Sequence, residues 1–341
     1  MNRPINFGIL GLGSISNIHA RAIRETKGAK LAGVMSSNTS RANEFFKLYG
    51  CQTFNQVEHF LASPDIDVVV IGTPSSTHAD MGIRAAQAGK HVVVEKPIDI
   101  SLDKADALIQ TCQSQNVSCT VISQHRFDDA VVKLKEAVKL GKFGKLYYGS
   151  CYTKWYRSSE YYSSSNWKGT YQYDGGGVLI NQSIHYIDLL RYIMGDVQEV
   201  YGNCATLHHQ IEVEDVAVAN LKFKNGALGM IQGSTLTFPG LYAGLEIYGE
   251  KGTVVIKDDH IDYWNLDGVS ISPTEGGEVK TGASIPENIS HTSHRKQFEN
   301  IVHSIINNQP SMVTGEDGRA TLELVLAIYE SSKAQKPVLI H

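Results

Sequence analysis

Three stretches of this 341-residue chain hold residue types that can do chemistry together. Gly11-Leu12-Gly13-Ser14-Ile15-Ser16 follows an apolar run, Ile5 to Leu10, and leads into Ile15, Ile18, Ala22 and Ile23, which are spaced as one helical face. At such a junction Gly11 permits the tight turn and Gly13 lets the backbone approach a pyrophosphate. The helix start adds N–H groups and the positive end of its dipole. Ser16 stands where the usual fingerprint has a third glycine. Glu95-Lys96-Pro97 closes a second apolar run, His91 to Val94. An ammonium there is costly to desolvate unless it faces a crevice. Pro97 forces an extended approach at Lys96 and suits a cis peptide. Asp174-Gly175-Gly176-Gly177 precedes a segment read as one long helix, Val178 to Met194, carrying Asn181, His185 and Asp188. Their spacing of four sets Asn181 and His185 on one face, and the glycines suit close contact with a ligand. The free pKa of a histidine lies near neutrality, which makes His185 a candidate general base. Taken singly, each stretch has an ordinary reading: a strand–helix turn, a solvated lysine, a packed histidine.

The elements that position these groups fall into two patterns. Up to about residue 123, short apolar runs alternate with helical faces: Ile5–Leu10, Leu31–Met35, a short edge strand at Gln52–Phe54, Val68–Ile71, His91–Val94 and Cys119–Ile122. That alternation predicts a doubly wound parallel sheet with right-handed crossovers, whose ligands bind beyond the carboxyl ends of the strands. The strand ends at Gly11, Thr73 and Glu95 should then converge on one crevice. Beyond residue 123 come helices and several longer strand-like runs, with a hairpin signal at Asn225-Gly226. This reads as an α+β domain on a large, mostly antiparallel, open-faced sheet. One face is expected under helices and the other against a second copy of the chain, giving a homodimer or homotetramer. The predicted domains are 1–123 and 124–341, in line with roughly 100–200 residues per domain.

Composition excludes several classes. Lys+Arg is 31 against 35 Asp+Glu, a net charge of −4, so nothing argues for nucleic acid or an anionic membrane. No apolar run approaches the ~20 residues of a membrane span, and the chain enters its first strand without a signal-peptide core. A cytoplasmic location is the expectation. The five cysteines are scattered, which favours free thiols in a reducing compartment over a metal or redox site. His208, His209, Glu212, Glu214 and Asp215 invite a metal reading, but their mixed spacing favours solvated charge, so no metal is expected. No nucleophile elbow supports a hydrolase. At the end of the second strand, Ser36, Ser37, Asn38 and Arg41 stand where an acid would hold a ribose 2′-OH. Hydroxyls and a cation suit a 2′-phosphate, so the reading leans slightly from NAD to NADP.

In combination, the N-terminal glycine pair, Glu95-Lys96-Pro97 and the Gly-Gly-Gly…His…Asp helix resemble the Gfo/Idh/MocA oxidoreductase family over essentially the whole chain. Thr314-Gly315-Glu316-Asp317-Gly318-Arg319 before the last helix is similar too. The resemblance implies a Rossmann domain and an NAD(P)-dependent dehydrogenase of sugar or cyclitol alcohols. By it, Lys96 touches the reacting hydroxyl and His185 is the acid/base, with Asn181 in place of the family's common aspartate. It further implies cofactor contacts from Gly11, Gly13, Ser14, Ile15, Ser36, Ser37, Arg41, Thr73, Pro74, His78, Glu95, Lys96, Gln124 and Arg126. Lys154 to Arg157, Glu160 to Tyr162 and Trp167 to Thr170 look like the branch containing UDP-N-acetylglucosaminuronate 3-dehydrogenases, with inositol and sugar dehydrogenases nearby. On that likeness Trp167 and Lys168 meet the nicotinamide half, and Arg157, Tyr161, Tyr162 and Asn181 line the substrate pocket, Arg157 gripping a phosphate or carboxylate. Such folds also serve as non-catalytic dinucleotide sensors, which retention of Lys96 and His185 disfavours.

Overall fold

A run such as Val68-Val69-Val70-Ile71 can lie only where both faces are covered, and in the computed structural model all four residues are buried. The structure describes residues 3–165, 167–266, 269–271 (as backbone) and 290–340. Contacts divide the chain into two units: Met1–Gln124 with Ser290–Arg319, and His125–Ile289 with Ala320–His341.

In the first unit the order is β1 (Ile5–Leu10), α1 (Ser16–Glu25), β2 (Ala29–Met35), α2 (Thr39–Tyr49), β3 (Gln52–Phe54), α3 (Val57–Leu61), β4 (Val68–Ile71), α4 (His78–Gln87), β5 (His91–Val94), α5 (Leu102–Ser114) and β6 (Cys119–Val121). The strands form one parallel sheet in the order β3-β2-β1-β4-β5-β6. This is the doubly wound arrangement, with its switch point beside β1. Because β1, β4 and β5 are neighbours, their carboxyl ends meet as expected. Gly72 N donates to Leu10 O at 2.9 Å, and Glu95 N donates to Ile71 O at 3.0 Å.

The second unit runs α6 (Asp129–Lys139), β7 (Leu146–Lys154), α7 (Ser159–Ser163), α8 (Tyr171–Asp174), a π-helical turn at Leu179–Ser183, α9 (Ile184–Met194), β8 (Val197–Ala205), β9 (Val216–Phe223), β10 (Leu228–Ser234), β11 (Ala243–Gly249), β12 (Gly252–Lys257), β13 (His260–Leu266) and β14 (Val269–Ile271). After α10 (Thr292–Asn307), α11 (Gly315–Ala334) and β15 (Val338–Leu339) complete the chain. The nine described strands form one sheet, β14-β13-β12-β11-β7-β10-β9-β8-β15, with β7 and β10 the parallel pair. On one face Cys151, Ile231, Leu245 and Ile247 are buried, and a Cβ at Gly149 would touch Met194 and Leu190 of α9. Period-two alternation in β9 sets Ala217, Ala219, Leu221 and Phe223 inward and leaves Val218 and Asn220 outward. The Asn225-Gly226 turn joins β9 to β10, with Gly226 at φ +85°.

Two expectations need correction. Residues 290–319, read with the second domain, belong to the first unit. The reason is the inward stripe of α10: Phe298, Ile301 and Val302 join the core of Phe7, Ile9, Ile23 and Val68, and Phe298 meets Phe7 edge to face at 5.5 Å. Such a stripe packs equally well on any apolar surface, so its spacing carries no address. The segment Val178–Met194 is not one regular helix, because five residues of π-turn precede α9. Neither Gly nor Pro marks that change.

Candidate active site

In the first unit the glycine turn is a cradle without room for side chains. Gly11 sits at φ +97°, and a Cβ there would come 2.6 Å from Gly72 O. Gly13 and Ser14 are exposed at the start of α1, with Ile15 half-buried. Ser16, in place of the third glycine, donates from Oγ to Gly13 O at 2.5 Å and so tightens the turn. Gln124, at the end of this unit's first segment, is buried with its Oε1 lacking a hydrogen-bond partner. A crowded glycine turn before a helix start, with an unsatisfied buried amide oxygen in the same unit, fits a dinucleotide.

The groups expected to hold a 2′-phosphate already have local partners. Asn38 Oδ1 caps α2 by accepting from Arg41 N at 3.0 Å, and Ser36 Oγ accepts from Asn38 N at 3.1 Å. Arg41 pairs with Glu44 at 2.7 Å and lies over Phe45. Ser37 is exposed beside them.

Lys96, half-buried, is held through its main chain. Its N–H donates to Glu95 Oε2 at 3.0 Å, while Glu95 Oε1 accepts from His19 Nε2 at 2.7 Å. The Lys96–Pro97 peptide is cis. Buried His294 of α10 meets His19 edge to face at 5.5 Å. Burial would raise the Glu95 pKa, but the His19 hydrogen bond and the positive charges of His19, Lys96 and His294 hold it at about 2. Buried His78 braces the same corner, its ring nitrogens lying 2.7 Å from Pro97 O and 2.8 Å from Thr73 O. Burial lowers its pKa, against the pull of those carbonyls, Glu95 and Asp99. Thr73 Oγ1 accepts from Thr77 Oγ1 at 2.8 Å, and Pro74 is exposed. His19, Glu95 and His294 are also the described residues whose donor atoms could converge on a metal ion. In this geometry the shortest link is the His19–Glu95 hydrogen bond.

The second unit carries His185 at the first turn of α9, directly after the π-turn that holds Asn181. Asn181 Nδ2 donates to Gly176 O at 3.1 Å. Two of the glycines before the π-turn are also required by packing, which the sequence does not announce. A Cβ at Gly177 would lie 1.8 Å from Glu214 O, and one at Gly176 would lie 2.2 Å from the Tyr329 hydroxyl. Glu214 in turn accepts from Gly177 N, Leu179 N and Tyr329, which fixes the start of the turn. Asp188 is gripped by Arg126 through two bonds of 2.8 and 2.7 Å and accepts from Thr321 Oγ1 at 3.0 Å. Arg126 is only 2% exposed and lies over Tyr192. The guanidinium, expected beside the cofactor, is committed to Asp188 inside its own unit.

Arg157 is buried, with its guanidinium over the Trp155 and Tyr161 rings and Nη1 donating to Tyr156 O at 2.8 Å. Tyr162 donates to Thr235 Oγ1 at 3.1 Å, and Lys168 lies over Tyr161 while donating to Ser164 Oγ at 2.9 Å. Burial pushes both tyrosine phenols up, Tyr162 to about 12, so they can donate hydrogen bonds but are not bases at neutral pH. Trp167 is exposed. Instead of lying in solvent, Asp215 accepts from the main chain of Leu207, His208 and His209 and from His209 Nδ1 at 3.2 Å.

Sequence reading missed three partners. His19 hides in an ordinary helical face, and its link to Glu95 spans 76 positions. Cys112, seven residues before Cys119, shares a thiol hydrogen bond with it and, together with burial, raises the Cys119 pKa. His125 has no local signal that sets it apart from Gln124 and Arg126 beside it. Its ring lies 5.3 Å from that of His185.

Comparisons with known proteins fit this geometry. Residues 5–123 match the model of an oxidoreductase family with an NAD-binding Rossmann fold, Gfo/Idh/MocA, and residues 131–255 match the C-terminal domain of the same family. The chain is 27% identical to scyllo-inositol 2-dehydrogenase (NAD(+)) of Bacillus subtilis, over 99% of this chain and 97% of the relative. It is 27% identical to myo-inositol 2-dehydrogenase of Thermotoga maritima, over 98% of each. The crystal structure of the WlbA dehydrogenase from Bordetella pertussis, in complex with NADH and UDP-GlcNAcA, matches with a TM-score of 0.88 and 31% identity over 99% of both chains. None of these supports the lean toward NADP.

Proposed function

The chain belongs to the Gfo/Idh/MocA oxidoreductase family, and on that premise we propose that it oxidises a secondary alcohol of a nucleotide sugar, acting as a 3-dehydrogenase on a UDP-N-acetylglucosaminuronate-like substrate with NAD. The observation that carries the substrate is the 31% identity, end to end, with a dehydrogenase crystallised with NADH and UDP-GlcNAcA. The buried guanidinium of Arg157, over the Trp155 and Tyr161 rings, supports it as a partner for a substrate phosphate or carboxylate.

A bound nicotinamide dinucleotide would supply the hydride acceptor, held by the Gly11–Gly13 turn, Ser14 and Ile15, with Thr73, Pro74 and Gln124 alongside. Everything else falls to side chains. Lys96 donates a hydrogen bond to the reacting hydroxyl oxygen as negative charge develops. His185, uncharged, takes the hydroxyl proton. Glu95 fixes the lysine's main chain, and Asn181, Arg157, Tyr161 and Tyr162 orient the sugar. Trp167 and Lys168 are the residues proposed to contact the nicotinamide half.

A cyclitol substrate is the second reading, favoured by the full-length likeness to two inositol dehydrogenases. A screen of UDP-GlcNAcA, myo-inositol and scyllo-inositol with NAD+ and with NADP+, read at the reduced-nicotinamide absorption band, separates the two. The nucleotide sugar with NAD+ should give the highest kcat/KM. Lys96→Met and His185→Ala should each lower kcat by ~10²–10⁴-fold while NADH binding persists. Turnover near wild type in both variants rejects the assignment.

A further inference from the structure

His125 Nδ1 donates to Asp128 Oδ2 at 2.7 Å, which fixes the ring. The His125 ring stands at 80° to the His185 ring with centroids 5.3 Å apart, and 5.9 Å from Tyr186. Its side chain is 27% exposed, while Asp128 is buried. The charged and titratable groups around it come from three directions: Asp128 at the start of α6, His185 and Tyr186 on α9, and Asp258 and Asp259 between β12 and β13. Tyr186 joins the last two directions by donating to Asp258 O at 2.6 Å. The carboxylate nearest His185 along its own helix, Asp188, is gripped by Arg126 and Thr321.

Resting on the reading of His185 as proton acceptor, we propose that His125 is a positioning residue for it: held by Asp128, the His125 ring fixes the orientation of the His185 imidazole and, as a cation, keeps that imidazole uncharged. Burial works against charge on His125, but Asp128, with Asp259 and Asp258 further off, holds its pKa above the ordinary histidine range. A positive charge 5.3 Å away opposes a second proton on His185. The base is thereby ready for the hydroxyl proton at a pH where an isolated imidazole would be partly charged.

The test is the pH profile of kcat for alcohol oxidation with the best substrate and saturating NAD+. A general base must be unprotonated, so its titration sets the acid limb. Removing the neighbouring cation should move that limb to higher pH by ~0.5 unit, the repulsion expected at this separation even in a water-like dielectric. His125→Gln and His125→Phe should both show the shift, because neither carries charge although Phe keeps the ring. Asp128→Asn, which retains His125 but weakens its charge, should shift the limb by a smaller amount in the same direction and covers the case in which a His125 variant does not fold. An unmoved limb in His125→Gln, or a wild-type profile restored by His125→Phe, overturns the proposal; the latter would leave His125 as packing. His185→Ala is measured alongside. Full turnover there removes the reading of His185 itself, whereas a dead His185→Ala with an unshifted His125→Gln removes only the role of His125.

Discussion

At Glu95 burial and partners pull in opposite directions, and the partners win. Its carboxylate is held at about 2 by His19, Lys96 and His294 despite being buried. Its folded pKa lies below the unfolded value of about 4.3, so the stabilisation is present above that pH and is lost as pH falls toward 2. The magnitude is ~3 kcal/mol. Glu95→Gln should therefore show a smaller fall in stability between about pH 5 and pH 2 than the wild type in urea titrations. An identical pH slope in both would mean that the His19–Glu95 link does not stabilise the charge. Removing His19 instead would strand a buried carboxylate, the more damaging half of the pair to lose.

The π-turn at Leu179–Ser183 carries Asn181 and leads directly into His185, the proposed base. It is locked at its start by Glu214, which accepts from Gly177 N and Leu179 N. Single-turn π segments cluster at functional sites because they re-aim side chains that a regular helix would present elsewhere. Here the re-aimed residues are Asn181 and, just beyond, His185. Gly177→Ala would drive a Cβ to 1.8 Å from Glu214 O, so the segment before β9 or the turn must shift. It should lower stability by ~3 kcal/mol or more and reduce kcat. Gly226→Ala is the contrast: its Cβ meets nothing within 4 Å, and only the φ of +85° is unfavourable. That should cost about 1 kcal/mol with kcat unchanged. Equal effects in thermal melts of the two would contradict the packing role of Gly177.

At the scale of the molecule, the large sheet leaves an outward face to account for. Cross-strand register places Val218 opposite Gln232 and Asn220 opposite Met230, and sets Tyr148, Tyr152, Glu246 and Tyr248 on the same face. Glu246 gathers hydroxyls from Tyr152 at 3.0 Å and Tyr248 at 2.8 Å near the centre of this face. A second copy of the chain is the cover we expect, giving a homodimer or homotetramer. Val218→Lys combined with Met230→Lys should then yield monomer in sedimentation velocity. A wild type that already sediments as a monomer refutes the assembly. No described helix is long and apolar enough to cross a membrane.

The doubly wound sheet was legible before any coordinates because its strands are continuous apolar runs closed by Gly, Pro or charge. β1, β4 and β5 were read with the bounds they have in the structure. The places of Lys96 after β5 and of His185 on a helix are legible too, because Glu95-Lys96-Pro97 and the glycines before Val178 mark the ends of elements. The tertiary structure alone decided which distant side chains meet. The His19–Glu95 bond, the Arg126–Asp188 pair, the return of α10 to the first core and the His125–His185 contact each join segments far apart in the chain. Nothing in their local patterns distinguishes them from ordinary buried residues, because hydrophobic periodicity fixes which face turns inward but not what it turns toward.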